Sequence, residues 1–160
     1  MSNAFELSVA ETMVEHGLKL VEVAASGNCF FSSLGVCLKR KGKKATICGL
    51  RQKFAAHLAA RVDELAPFFS AEGDTEEDQR KEFMEAVTMI RKDRFWNNQI
   101  IDLVVGCATE VLGLNVTIFD IDHEGNITEY EHLCDEDGKP TIKLLRQDDN
   151  HFNAFLEVEE

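Results

Sequence analysis

The segment Ala25-Ser26-Gly27-Asn28-Cys29-Phe30-Phe31-Ser32-Ser33-Leu34 joins turn-forming residues directly to apolar ones. Gly and Asn tolerate a positive φ and Ser favours turns, so the segment predicts a tight turn before Cys29. The apolar residues that follow have helical spacing and predict a buried helix from Cys29 to about residue 39. Residues 18–23, which precede the turn, alternate loosely and predict a strand. Cys29 is therefore expected where a tight loop becomes the N-terminus of a helix.

Two interpretations of Cys29 follow from this placement. The unpaired N–H groups and the positive end of the dipole at a helix N-terminus favour a thiolate, and the same N–H groups can donate to an oxyanion. Free cysteines are also among the most buried residues of protein cores, and Phe30 and Phe31 are typical core neighbours. The nucleophile interpretation needs a partner base elsewhere in the chain.

Length and composition place limits on the protein. The 160 residues suit one domain, with its core over about residues 18–158. There is no apolar run of membrane-spanning length and no secretory signal pattern at the N-terminus. Five irregularly spaced cysteines indicate reduced thiols and a cytoplasmic working compartment.

The charge of the chain narrows the class of partner. A formal net charge of −12 argues against nucleic acids and anionic membranes and suits a basic protein partner. The basic run at residues 39–44 follows the Cys29 helix, where cations complement the helix dipole. The main interpretation of this run is a solvated loop, and the alternative is a nuclear-localisation or phosphate-binding patch.

The remaining pattern predicts helices followed by a meandering sheet, which is the α+β (mixed α/β) class. The predicted helices cover residues 6–16, 46–65, a stretch opening at residues 73–75 and reaching residue 90, and residues 98–112. The predicted strands cover residues 115–120, 127–131, 141–145 and 151–158.

The last predicted strand supplies the candidate base. Strand alternation places His151 and Asn153 on one face, so Asn153 can accept a hydrogen bond from the imidazole and fix its tautomer. Cys, His and an orienting Asn are the three parts of a papain-type cysteine hydrolase. The alternative is a histidine at a strand edge beside a solvated Asn. His123, His132 and Cys134 match no zinc spacing and are interpreted as hairpin surface residues.

In combination these residues resemble the ovarian tumour (OTU) family of deubiquitinating cysteine proteases. Two motifs carry the resemblance, Gly27-Asn28-Cys29-Phe30-Phe31 and His151-Phe152-Asn153. Other segments agree with the family in their order along the chain, namely Leu50-Arg51, residues 95–103, 116–119 and 142–145. The resemblance extends from about Val21 to Leu156.

The resemblance implies a small, mostly antiparallel sheet packed between helices, in one catalytic domain over residues 1–160. It implies cleavage of isopeptide or peptide bonds after the tail of ubiquitin or a ubiquitin-like protein. Cys29 would be the nucleophile, His151 the proton carrier and Asn153 the orienting residue. Residues 26–28 (Ser26, Gly27 and Asn28) would form the oxyanion loop, and Trp96 and Asn97 would support the cleft. No metal or organic cofactor is implied, and a monomer is expected in the cytoplasm, or in the host cytosol for a secreted effector or viral protein.

One departure from the family pattern stands beside the nucleophile. The family usually has Asp three residues before the cysteine, and this chain has Ser26. A Ser side chain hydrogen-bonds backbone groups more weakly than an Asp side chain does. This predicts either low activity or an oxyanion loop that becomes ordered only when substrate binds. The alternatives to the protease are therefore an OTU-fold ubiquitin-binding module with impaired catalysis and, in another class, a redox-reactive thiol protein.

Overall fold

The computed structural model describes residues 3–69, 75–97, 100–148 and 151–159. Within these ranges the chain forms seven helices and five strands. In chain order they are α1 (Asn3–His16), β1 (Leu18–Val21), α2 (Cys29–Arg40), α3 (Ile47–Ala60), α4 (Val62–Phe69), α5 (Glu76–Ile90), α6 (Ile101–Gly106), α7 (Ala108–Leu112), β2 (Asn115–Ile121), β3 (Ile127–His132), β4 (Thr141–Gln147) and β5 (His151–Glu157).

The five strands form one sheet in the order β1-β5-β4-β2-β3. Every neighbouring pair is antiparallel except β2 and β4, which are parallel. The predicted α+β class with a mostly antiparallel sheet is confirmed, but the predicted meander is wrong, because β4 lies between β2 and β5. The reason is burial: β4 is apolar enough for the sheet interior, whereas the charged, largely exposed β3 belongs at an edge.

Both faces of the sheet are covered by helices. On one face α1 packs over a small cluster that includes Val9, Phe119 and Phe155. On the other face lies the main core, in which Phe30, Phe31 and the rest of the apolar stripe of α2 are fully buried. This arrangement places α2 against β5, so the first residue of the helix lies beside the first residues of the strand.

Two long predicted helices are each divided. The helix predicted over residues 46–65 breaks at Arg61, where the chain bends so that α4 packs on α5 through Phe69 and Phe83. Pro67 lies inside α4 and does not end it. The helix predicted over residues 98–112 breaks at Cys107 between α6 and α7. Residues 73, 74 and 98, at the predicted starts of two helices, lie outside the described residues.

In the described part of the chain, no helix combines the length and the apolar character that a membrane crossing requires.

Candidate active site

The turn before α2 is closed by Ser26. The Ser26 carbonyl oxygen accepts from the backbone N–H of Cys29 at 3.1 Å. The Ser26 Oγ accepts from the backbone N–H of Asn28 at 3.1 Å. The Asn28 N–H belongs to the predicted oxyanion loop and the Cys29 N–H directly follows it, and Ser26 occupies both in this structure. The oxyanion loop is therefore formed but closed.

Cys29 and the start of β5 are in direct contact. The backbone N–H of Phe152 donates to the Cys29 Sγ at 3.4 Å, across 123 positions of sequence. His151, the residue before Phe152, begins β5 opposite Gln147 and is half-buried. The predicted nucleophile and the strand that carries the predicted base are thus brought together. In this hydrogen bond the Cys29 sulfur is the acceptor.

Asn153 is buried and is held by two neighbours other than His151. Its Oδ1 accepts from the backbone N–H of Val23 at 3.0 Å, and its Nδ2 donates to Gln147 Oε1 at 3.1 Å. Among the described residues, no hydrogen bond joins Asn153 to the imidazole of His151, so the orienting bond predicted from alternation is not formed here. Asn153 instead ties β5 to the segment that leads into the Cys29 turn.

Asn28, the residue before Cys29, is the most heavily bonded side chain of the turn. Its Oδ1 accepts from Arg51 Nη2 at 2.7 Å, from Arg51 Nε at 3.1 Å and from the Arg94 backbone N–H at 3.0 Å. Its Nδ2 donates to Asp93 Oδ1 at 2.8 Å. The turn is therefore fastened to α3 and to the loop that follows α5.

Arg51 is the functional candidate that sequence reasoning missed. The sequence singles out Arg51 only as part of the Leu50-Arg51 motif. In the structure it is 1 % exposed, and its side chain reaches the turn before Cys29. A signal was present, because Arg51 is four residues after Ile47 and three before Phe54, on the apolar stripe of α3. A charged residue on a buried stripe needs polar partners inside the protein.

Gly27 permits the close approach of the two loops. A Cβ at this position would overlap the carbonyl oxygen of Arg94. Arg94 itself has a positive φ of 66°, which is uncommon for a residue other than Gly. No side chain can replace hydrogen at Gly27 unless the loop after α5 moves away from the Cys29 turn.

Trp96 and Asn97 lie next to the elements that carry Cys29 and His151. The Trp96 ring packs on Phe30, with centroids 5.7 Å apart, and on Phe152 at 6.2 Å. These two phenylalanines follow Cys29 and His151 directly. The carbonyl oxygen of Asn97 accepts from the N–H groups of Ile100 and Ile101, at 3.1 Å each, at the start of α6. Trp96 is thus in contact with both elements of the site, and Asn97 fixes the helix beside them.

A polar groove lies beside the candidate site. It has a volume of about 640 Å³ and is lined by residues of α6, β2, β3 and β4 and by Asp148. Three carboxylates line it, together with other polar side chains: Asp102, Asp120, Tyr130, His132, Arg146 and Asp148. The Arg146 guanidinium stacks 5.5 Å from the centre of the Phe152 ring, so the groove adjoins the site.

The other cysteines differ from Cys29. Burial raises the pKa of Cys37 to about 11 and that of Cys107 to about 12, as expected for structural thiols. Helical spacing predicts Cys37, Cys48 and Cys107 on apolar helical faces. This prediction is wrong for Cys48, which is exposed. The described residues contain no cluster of three or more His, Cys, Asp or Glu arranged to hold a metal ion.

Comparison with known proteins identifies the fold. No family model and no curated protein matches the chain. The OTU domain of OTUD1 matches with a TM-score of 0.72 and 15% identity, over 97% of this chain and 96% of that chain. The Hazara virus OTU, solved bound to ubiquitin, matches with a TM-score of 0.58 and 19% identity, over 89% and 83%. The chain has the OTU-domain fold. An OTU deubiquitinase from Wolbachia pipientis wMel, also solved bound to ubiquitin, matches with a TM-score of 0.52 and 12% identity, over 88% and 96%.

The OTU fold confirms the resemblance drawn from the sequence motifs at the level of architecture. The identities of 12% to 19% establish the fold and carry no residue roles with them. The chemistry of this OTU fold therefore has to be argued from its own residues, beginning with the contact between Cys29 and β5.

Proposed function

We propose that the chain is a deubiquitinase-type cysteine protease, which cleaves isopeptide or peptide bonds after the C-terminal tail of ubiquitin or a ubiquitin-like protein. One observation carries the proposal: the Cys29 Sγ, at the first residue of α2, accepts the Phe152 N–H next to His151. It supports the proposal because a helix N-terminus and a nearby histidine both activate a cysteine, and His151 directly precedes Phe152 in β5.

The proposed reaction has two stages. His151 takes the thiol proton, the Cys29 sulfur attacks the carbonyl carbon of the ubiquitin tail, and the C–N bond breaks as His151 returns the proton to the leaving amine. Water then attacks the thioester, with His151 accepting its proton, and Cys29 is released. The reaction uses no oxidant or cofactor.

Asn153 orients His151 in this proposal, partly through the strand. It bonds Gln147, which is the register partner of His151 in β4. Its Oδ1 accepts from Val23 and has a second lone pair for the imidazole N–H. We expect the imidazole of His151 to donate to this oxygen when the triad forms.

The oxyanion would bind to the backbone N–H of Cys29 and to an N–H group of residues 26–28. Because Ser26 holds the Cys29 and Asn28 N–H groups, the substrate carbonyl oxygen must take over at least the Cys29 N–H. An oxyanion is a stronger acceptor than a neutral carbonyl or hydroxyl, so the exchange favours the transition state over the bound substrate.

The acidic groove beside the site supports a basic protein as substrate. Asp102, Asp120 and Asp148 face the same opening, and the whole chain carries 29 acidic against 17 basic residues. Ubiquitin is basic around its C-terminal tail, and two structures of similar fold were solved bound to ubiquitin. We place the activity in a monomer working in a reducing cytoplasmic compartment, without nucleic acid or membrane as partner.

A covalent probe tests the proposal. Ubiquitin with a C-terminal propargylamide should form a stable adduct, which peptide mass mapping should locate at Cys29. Cys29→Ala should form none, while the control Cys48→Ala, which removes an exposed thiol, should react like the parent. An adduct on Cys48 or Cys134, or no adduct with any ubiquitin-like modifier, would refute the assignment.

A second candidate is an OTU-fold module that binds ubiquitin without turning it over. The closed loop favours it, because Ser26 occupies both predicted oxyanion donors. Cleavage of a di-ubiquitin linkage panel separates the two candidates. The module would bind ubiquitin and leave every linkage intact, whereas the protease would cleave at least one.

A further inference from the structure

The Arg51 side chain is an unusual occupant of the core. It is 1 % exposed and packs over the Phe31 ring, 4.7 Å from its centre. Its four hydrogen bonds all end on carbonyl or amide oxygens of Gly27, Asn28 and Ile90. Burial of a cation without a bonded carboxylate is costly, so an apolar residue of similar volume would be the more stable choice. The charge is therefore expected to have another role.

The bonds of Arg51 converge on the two residues before the nucleophile. The Nη2 donates to the Gly27 carbonyl oxygen at 2.9 Å and to Asn28 Oδ1 at 2.7 Å, and the Nε donates to the same Oδ1 at 3.1 Å. The Asn28 Nδ2 in turn donates a hydrogen bond to Asp93 Oδ1. The charge of Asp93 partly opposes the lowering of the Arg51 pKa by burial. Arg51, Asn28 and Asp93 therefore form one polar chain below the Cys29 turn.

Asn28 is also the N-cap residue of α2, and it makes no capping hydrogen bond with its side chain. An Asn at this position normally accepts from an N–H of the first helical turn. Here the backbone of Asn28 is αR, with φ −96° and ψ −2°, instead of extended, and the three donors from Arg51 and Arg94 occupy its Oδ1. The Asn28 side chain is therefore turned away from the N-terminus of α2.

We propose that Arg51 is a positioning residue for Cys29. Through Asn28 it holds the turn against the loop after α5 and prevents Asn28 from capping α2, so that the helix N-terminus serves the sulfur and the oxyanion. This role rests on the proposed function. It also gives the loop an anchor that does not depend on an acidic residue at position 26.

Three variants and one control test this role. Arg51→Met keeps the volume and removes the charge, Arg51→Lys keeps the charge and removes the two-pronged contact, and Asn28→Ser removes the amide oxygen that Arg51 and Arg94 share. The control is Gln52→Ala, because Gln52 follows Arg51 on α3 and, among the described residues, its amide hydrogen-bonds only Arg91. The measurements are the urea midpoint of unfolding, and kcat and KM on ubiquitin with a fluorogenic C-terminal amide.

We expect kcat to fall about 100-fold in Arg51→Met and Asn28→Ser, with KM within about threefold of the parent. Arg51→Lys should recover part of the kcat. Asn28→Ser should lose stability, because the buried Arg51 guanidinium and the Arg94 N–H lose a shared acceptor, so kcat and KM are measured where every variant is folded. A merely structural role would lower the amount of active enzyme without the rescue by Arg51→Lys. Gln52→Ala should have the parental kcat.

The proposal is overturned if Asn28→Ser or Arg51→Met, folded under the assay conditions, retains parental kcat, or if Arg51→Lys recovers none of it. Asn28→Ser keeps the test valid should Arg51→Met fail to fold. A parent chain that cleaves no ubiquitin substrate refutes the proposed function alone. The positioning role of Arg51 is then judged by the rate at which iodoacetamide alkylates Cys29, located by mass mapping. A fall of about fivefold in Asn28→Ser supports that role, and an unchanged rate refutes it.

Discussion

Cys29 and Cys37 lie on the same helix, and each is 2 % exposed, yet their surroundings are opposite. The Cys29 Sγ accepts a hydrogen bond from the Phe152 N–H at 3.4 Å, whereas the Cys37 thiol donates to the Lys143 carbonyl oxygen at 3.5 Å. Burial alone therefore does not separate the proposed nucleophile from a core thiol. The two thiols differ in these hydrogen bonds, of which Cys29 accepts one and Cys37 donates the other.

Position along α2 also distinguishes Cys29 from Cys37. Cys29 is the first residue of α2, where N–H groups and the positive end of the dipole face an anion. Cys37 lies two turns later, among satisfied backbone groups, and burial raises its pKa to about 11. The same residue type at equal exposure is thus placed for chemistry at one end of α2 and for packing in its interior.

Exchange of each cysteine for Ala should give the largest contrast. Cys29→Ala should lower turnover of a ubiquitin substrate by at least about 1,000-fold, because it removes the nucleophile. It should lose about 1 kcal/mol of stability, because Cys29 is as buried as Cys37. Cys37→Ala should keep its turnover and lose about 1 kcal/mol of stability, because it leaves a small cavity. Turnover retained by Cys29→Ala would remove Cys29 from the mechanism, and a large loss of its stability would support the core interpretation.

Alkylation of the native protein should separate the same two thiols by about 100-fold in rate. Iodoacetamide at neutral pH should modify Cys29 and the exposed Cys48, and leave Cys37 and Cys107 unmodified until the protein is unfolded. The raised pKa values of Cys37 and Cys107, about 11 and about 12, keep both protonated at this pH. Equal rates for Cys29 and Cys37 would abolish the distinction.

Removal of the groups around Cys29 should have graded effects. His151→Ala should lower kcat/KM about 1,000-fold, and Asn153→Ala about 10-fold to 100-fold. Asn153→Ala should also lose about 2 kcal/mol of stability, because the Val23 N–H and Gln147 lose a buried partner. Asn153→Asp keeps the acceptor for Val23, and Gln147 can rotate its amide to donate, so most of the activity should remain. Unchanged kcat/KM in Asn153→Ala would move the orienting role to Asp148 or another nearby carboxylate.

Alkaline pH should reveal Cys37 through stability, which is the smallest of these effects. Its thiol ionises near pH 9 in the unfolded chain and near pH 11 in the folded one. Between these values the unfolded state binds fewer protons, so stability falls as pH rises, by about 1 kcal/mol per pH unit for this thiol. Urea unfolding from pH 8 to pH 11 measures the slope, which should be shallower in Cys37→Ala. A slope identical to that of the parent would contradict the assigned burial effect.

Local sequence determined the position of most elements and of the site. Turn residues followed by helical spacing located the start of α2 at Cys29. The apolar segment after the acidic turn located the last strand, predicted over residues 151–158 and found at His151–Glu157. These features depend on backbone preferences and periodic burial over a few neighbouring residues, which a sequence displays directly. The candidate pair Cys29 and His151 was predictable for the same reason.

Only the tertiary structure decided which partner each group takes. Periodicity shows that a residue is buried but not what covers it, so it placed β4 in the sheet without showing that β4 runs parallel to β2. It likewise could not show that Asn153 bonds Val23, or that Arg51 bonds Asn28. Buried polar groups need hydrogen-bond partners, and those partners come from segments far apart in sequence. Their identity therefore depends on how the helices and the sheet pack.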